Sequence, residues 1–194
     1  MVDIVNLTNQ LSVRAKNGIG FLMSAVIIWA INTGIFLLPF EIYTKNVMML
    51  FSAGIMFPLA LLFSKSIKAD WRTNDNPLGM LGFYLNLAQL MYFPLIFWAF
   101  AQSPNQMVLF FAIITAAHLY PYGWFYHTKA YYFMAPIMSI SFMFIGWNAD
   151  AGNLWFIPFS MFLFLLILIA WLFVDFRKKI SLNKQSTIGF NQSL

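Results

Sequence analysis

The sequence predicts an all-α polytopic transmembrane protein, a single bundle of six helices with both termini cytoplasmic. Three observations predict it. Of the 194 residues, 61% are hydrophobic and 9% charged, with a mean hydropathy of +0.75, whereas soluble domains carry roughly 25% charged residues. The apolar residues come in blocks that supply the roughly 20 helical residues needed to cross a hydrocarbon core of about 30 Å. All but one of the 11 Lys and Arg fall on the same side once the blocks are threaded in alternation, which is the bias that orients membrane helices.

The predicted spans are 18–39, 46–64, 77–102, 104–126, 130–147 and 154–176, within one domain covering 1–194. Ahead of the first, Ile4, Leu7 and Leu11 recur at helical spacing before Arg14 and Lys16. This fits either a short helix lying on the inner leaflet or a solvated tail. The first block is too long for the apolar part of a signal peptide and has no cleavage pattern after it, so it reads as a retained helix. Pro39 and Glu41 close it. Asn76 before Pro77 and Ser103 before Pro104 read as N-caps followed by proline at the first helical position, where a missing N–H costs nothing. Spans three and four, joined only around Ser103, form an antiparallel hairpin. Asn153 is the expected cap of the last span, and the polar residues 180–194 are expected to be loosely ordered.

With the N-terminus inside, the cytoplasmic set is Arg14, Lys16, Lys65, Lys68, Arg72, Lys129, Arg177, Lys178, Lys179 and Lys184, leaving Lys45 outside. Anionic lipid headgroups account for this charge at up to about 1 kcal/mol each, so membrane lipids are the expected partners and nucleic acid is not. A homo-oligomer is compatible with the sequence.

Composition excludes several chemistries. There is no cysteine, and none of the six acids or the lysines lies at mid-membrane, which disfavours transport coupled to a buried carboxylate. Two histidines without matching carboxylates do not make a catalytic zinc site. No cofactor, metal or catalytic set is expected, and the reading leans away from an enzyme.

What remains is neutral and polar. Asn86 and Gln89 share a face of the third span, continued by Tyr92; Thr115, His118 and Tyr122 follow at i, i+3 and i+7 on the fourth. In a hairpin the two stripes face each other and would bind a small apolar or aromatic ligand. Asn32, Thr33, Ser139 and Ser141 are candidates for the same interior. The simpler reading is interhelical hydrogen bonding, worth about 0.6 kcal/mol per bond. Pro121 removes the N–H that would bond the Ala117 carbonyl, leaving an acceptor beside His118. Residues 118–132 are dense in aromatics, with Tyr120 and Tyr122 closest to His118. An amphipathic organic molecule suits such rings.

Asn74-Asp75-Asn76-Pro77-Leu78-Gly79, Tyr92-Phe93-Pro94-Leu95 and the 118–126 segment resemble the pattern of an uncharacterised family of small bacterial multi-helix membrane proteins, a domain of unknown function, over about 15–148. The resemblance implies a bacterial inner-membrane location and no particular substrate. The functional expectation is therefore binding or translocation of a small apolar or aromatic molecule inside the bundle. A non-transporting accessory or immunity protein is the alternative, and a lipid-modifying membrane enzyme the third reading.

Overall fold

The computed structural model describes residues 3–70, 73 and 75–192, with side chains through 181; Arg72, Asn74 and the Lys184 side chain lie outside the described residues. Its helices are α1 (Ile4–Arg14), α2 (Ile19–Leu37), α3 (Ile42–Gly54), α4 (Met56–Ser66), α5 (Gly79–Leu90), α6 (Phe93–Gln102), α7 (Met107–His118), α8 (Tyr122–Phe125), α9 (Lys129–Trp147) and α10 (Phe156–Gln192). Among the described residues, five stretches are long and apolar enough to cross a membrane: Lys16–Leu37, Gly79–Gln102, Pro104–Phe125, Lys129–Trp147 and Phe156–Ser181. A sixth results if α3 and α4, bent by 41° at Ile55, are one broken span. Pro58 explains the break, because it cannot donate to the carbonyl four residues back.

At the centre, α2 packs along α10, which also touches α9 and α7, while α4 covers another side of α2. The α2–α4 approach depends on Gly20, where an added Cβ would lie 3.0 Å from the Ser64 backbone. Met49, Met107, Met138, Leu165 and Leu168 are fully buried, whereas Phe51 is 77% and Trp147 70% exposed. An apolar exterior of this kind is far larger than monomeric soluble proteins tolerate, and lipid covers it without cost. α5 and α6 lie outermost, resting on α7; their span is the least buried of the five.

Several boundaries differ from the sequence expectation. Asn76 does not cap α5 directly: its Oδ1 accepts the Leu78 N–H at 2.9 Å, and this local turn delays the helix to Gly79. The last helix begins at Phe156, because Asn153 instead closes a loop by accepting the Asp150 N–H. Beyond 180 the backbone remains helical to Gln192. The stretch after Pro158 holds no proline and only one glycine, Gly189, before that end, so no strong breaker stops it.

The N-terminal segment is a helix packed on the bundle. Asp3 caps it by accepting the Val5 and Asn6 N–H groups. Leu11 and Ser12 are buried, and α1 contacts α8 and α10. Arg14 donates to both carboxylate oxygens of Asp75 at 2.7 Å and to Asp70 at 2.5 Å, and Asn76 Nδ2 donates to the Leu7 carbonyl at 3.0 Å. The Arg14 guanidinium hydrogen-bonded to Asp75 holds that carboxyl below the usual carboxylate range. A depressed carboxylate stabilises the fold fully above its ordinary pKa and loses the contribution as pH falls through the lowered value. Protection of the α1 amides, taken relative to the intrinsic exchange rate at each pH, is therefore expected to hold from neutral pH down to about pH 4 and to fall below it, with Asp75→Asn showing reduced protection already at neutral pH.

Candidate functional site

The site is built where α7 ends. Pro121 cannot continue the ladder, so the chain tightens: Leu119 N–H donates to Ala116 O at 3.2 Å and Tyr120 N–H to Ala117 O at 3.1 Å. The Ala117 carbonyl expected to stand free beside His118 is thus satisfied within its own turn. A single turn of α8 follows. His127 then takes a left-handed φ of 46°, and Thr128 caps α9 by accepting the Ala130 N–H.

Thr115, His118 and Tyr122 come together as one feature. Thr115 and Tyr122 are buried and His118 is half-buried. The His118 and Tyr122 rings meet edge-on at 5.6 Å between centroids. His118 Nδ1 lies 3.1 Å from the Thr115 carbonyl. Thr115 Oγ1, His118 Nε2 and Tyr122 OH are each sealed from outside with no partner among the described residues. An unpaired buried polar group costs roughly 1–3 kcal/mol, so three in eight residues form an expensive local concentration. Tyr122 also lies among Phe125 at 6.2 Å, Tyr126 at 6.0 Å and Tyr131 at 5.8 Å.

The residues expected from the third span divide. Gly82 of α5 sits against Phe125, where an added Cβ would lie 2.8 Å from the ring. α5 also rests on α7, the helix that carries Thr115 and His118. Asn86 Nδ2 is committed to Gly82 O at 2.9 Å, which leaves its Oδ1. Gln89 is half-buried. Tyr92 is not brought in: it is 53% exposed at the α5–α6 break. Tyr120 also points away, 52% exposed and edge-on to Tyr132 at 5.2 Å, because residues two apart cannot share a helical face. Asn32 is linked to Ser52 at 2.8 Å, while Thr33 and Ser139 back-bond within their own helices at 2.8 and 2.9 Å. Thr33 and Ser139 thus have structural hydrogen bonds, while Asn32 Nδ2, like Asn46 Oδ1, is also sealed with no partner among the described residues, at positions apart from the His118 trio.

Two cavities lie toward the opposite end of the bundle. One, of about 450 Å³, is lined by Phe144, Ile145, Asn148, Asn153, Trp155 and Phe156 among others. The second, of about 170 Å³, shares Ala149 with it. The amides there are already engaged, Asn148 with Phe144 O and Asn153 with the Asp150 N–H. That end offers space, with Asn105, Gln106 and Asp150 lining the second cavity, whereas the His118 region offers polar groups in a closed interior.

Sequence reasoning missed a polar knot at the basic end. Asn17, fully buried, adopts φ 54° between Lys16 at 49° and Gly18 at 75°. Its Oδ1 accepts from Ser12 Oγ at 2.5 Å, and its Nδ2 donates to Leu172 O at 3.1 Å and Asp175 Oδ2 at 3.0 Å. Its carbonyl accepts the Tyr131 hydroxyl at 2.8 Å. Lys179 donates to Asp175, Ser12 Oγ and the Tyr126 and His127 carbonyls at 2.8–2.9 Å. The available signal was the Asn17-Gly18 dipeptide, a strong turn marker, which stands at the edge of the first apolar block.

No curated protein and no solved structure matches the chain. A family model does match, over residues 4–175, and on that coverage the chain belongs to DUF7010, a family of unknown function.

Proposed function

We propose that the chain is a multi-pass protein of the bacterial inner membrane, both termini cytoplasmic, that binds or translocates a small, largely apolar or aromatic molecule where α5 covers α7 and α8. The topology reading is supported by the gathering of Arg14, Lys16 and Lys179 at one end through contacts to Asp75, the Ile67 carbonyl and Asp175. Lys45 stands apart, bonded to Phe36 O at 3.1 Å. Positive charge at one end matches the cytoplasmic side.

The observation that carries the binding reading is the trio of sealed, unpartnered polar atoms on Thr115, His118 and Tyr122. A chain under selection for stability alone has little reason to keep them, because an apolar isostere removes the penalty. Sites kept for function commonly carry such a cost. Tyr122→Phe is therefore expected to raise the thermal midpoint of the ligand-free protein, by about 1 kcal/mol of added stability, while weakening binding of any molecule taken up there. A purely structural tyrosine gives the opposite sign, a loss of stability. The check is thermal unfolding of the purified protein in detergent, wild type against Tyr122→Phe and His118→Phe.

A further inference from the structure

The two cavities at the end away from the basic residues meet at Ala149 and differ in chemistry. The larger, about 450 Å³, falls within the range of about 300–1,000 Å³ usual for ligand sites. Phe144, Ile145 and Phe156 give it an apolar wall, and Phe144 at 52% and Phe156 at 45% exposure leave it open toward the lipid side. Phe144 stands one turn deeper along α9 than Asn148, so the groove runs from the helix end down the outside of the bundle. The smaller cavity, about 170 Å³, carries the polar groups Asn105, Gln106 and Asp150. Among the described residues, Asp150 is the only charged one on either wall. Its loop presets the carboxylate: Oδ1 accepts the Gly152 and Asn153 N–H groups at 2.9 and 3.1 Å, and Asn153 Oδ1 holds the Asp150 N–H at 2.8 Å. Oδ2 has no partner among the described residues, and neither do the Asn105 and Gln106 side chains. Lys45, at that end too, is bonded to the Phe36 carbonyl at 3.1 Å instead.

We propose that the paired cavities are a phospholipid site for a primary-ammonium headgroup. The ammonium donates to Asp150 Oδ2, the phosphate accepts from the Asn105 and Gln106 amides, and one acyl chain lies along Phe144, Ile145 and Phe156. Charge and shape select this occupant. A carboxylate without an ion pair attracts a cation, and amides on the same wall supply the neutral donors that phosphate oxygens accept. A water-soluble amine would fill the polar part and leave the larger apolar part empty. A fatty acid would fill the apolar part and set its own carboxylate against Asp150. The zwitterionic lipid answers both, at the depth where headgroups meet the ends of membrane helices. A trimethylammonium headgroup has the same charge but no N–H, so it cannot make the bond to Oδ2.

The test is native mass spectrometry of the full chain, delipidated in detergent and titrated separately with dioleoyl phosphatidylethanolamine and dioleoyl phosphatidylcholine. The two lipids share chains and net charge, so molecules that merely coat the bundle do not separate them. One ethanolamine lipid is expected to bind about tenfold tighter than the choline lipid, the factor a single charge-assisted hydrogen bond supplies. Asp150→Asn, which keeps an acceptor for the two loop N–H groups, is expected to abolish the preference. Ala149→Trp, which fills the meeting point of the cavities, is expected to remove the tight binding. Equal affinity of the two lipids for the wild type overturns the ammonium assignment, and absence of saturable binding by either overturns the site as a whole. A preference that survives Asp150→Asn overturns the part given to Asp150, and tight binding that survives Ala149→Trp overturns the placement in the cavities. The wild-type comparison needs no variant to fold, and because the Thr115, His118 and Tyr122 atoms take no part, failure here leaves the proposed function standing.

Discussion

Asn17→Ala is expected to destabilise the protein by about 3–4 kcal/mol, the largest single-residue effect outside the apolar core. The amide makes three bonds at a fully buried position, to Ser12, Leu172 O and Asp175. Each carries a net contribution of roughly 0.5–1.5 kcal/mol, more where the partner is charged or left stranded. Ser12 and Asp175 retain Lys179 as a partner, which holds the loss toward the lower end. The backbone adds a separate cost, because alanine at φ 54° pays about 1–2 kcal/mol that glycine avoids. Asn17→Gly is accordingly expected to be milder than Asn17→Ala by about 1 kcal/mol. Chemical unfolding of all three proteins in the same detergent measures both differences, and equal losses in the two variants would remove the left-handed backbone from the account.

Lys179→Met comes second, at about 2–3 kcal/mol. The ammonium joins the last helix to α1 through Ser12 and to the α8–α9 corner through the Tyr126 and His127 carbonyls. Its removal leaves Asp175 with the Asn17 amide as its remaining donor; the side chain is 26% exposed, so solvent relieves part of the penalty that a wholly buried charge would bear. Pairing Lys179→Met with Asp175→Asn is expected to recover about 1 kcal/mol relative to the sum of the single changes, since residues in one network are not additive. A double-mutant cycle on unfolding midpoints reads this directly, and strict additivity would make the other three Lys179 contacts independent of the ion pair.

These two residues also mark where reading the sequence stops. The spans were legible because hydropathy and length are properties of contiguous residues, and the start at Pro104 follows from proline's missing N–H alone. The knot joins Ser12, Asn17, Tyr131, Asp175 and Lys179 across more than 160 positions, and Lys179 looks by itself like an ordinary basic anchor after a last span. Only the packing of α1, the turn at 16–18 and α9 against α10 brings the five together. The site shows the same division. The i, i+3 and i+7 spacing of Thr115, His118 and Tyr122 was sufficient to place them on one face, and the His118–Tyr122 ring contact bears this out. The spacing did not reveal that α5 is a peripheral helix, that Tyr92 and Tyr120 face outward, or that Tyr120 N–H would close the Ala117 carbonyl. Each of those depends on how a proline break is resolved locally or on which helix ends up outermost.

A small molecule held at the sealed polar atoms of Thr115, His118 and Tyr122 would leave the membrane with the protein. Native mass spectrometry of the full chain released from its own membranes tests it most directly, with wild type and the His118→Phe/Tyr122→Phe double variant prepared in parallel. A stoichiometric adduct of a few hundred daltons is expected on the wild-type protein, distinct from bound phospholipid and absent from the variant. Identical spectra for the two, with lipid as the only bound species, would contradict it.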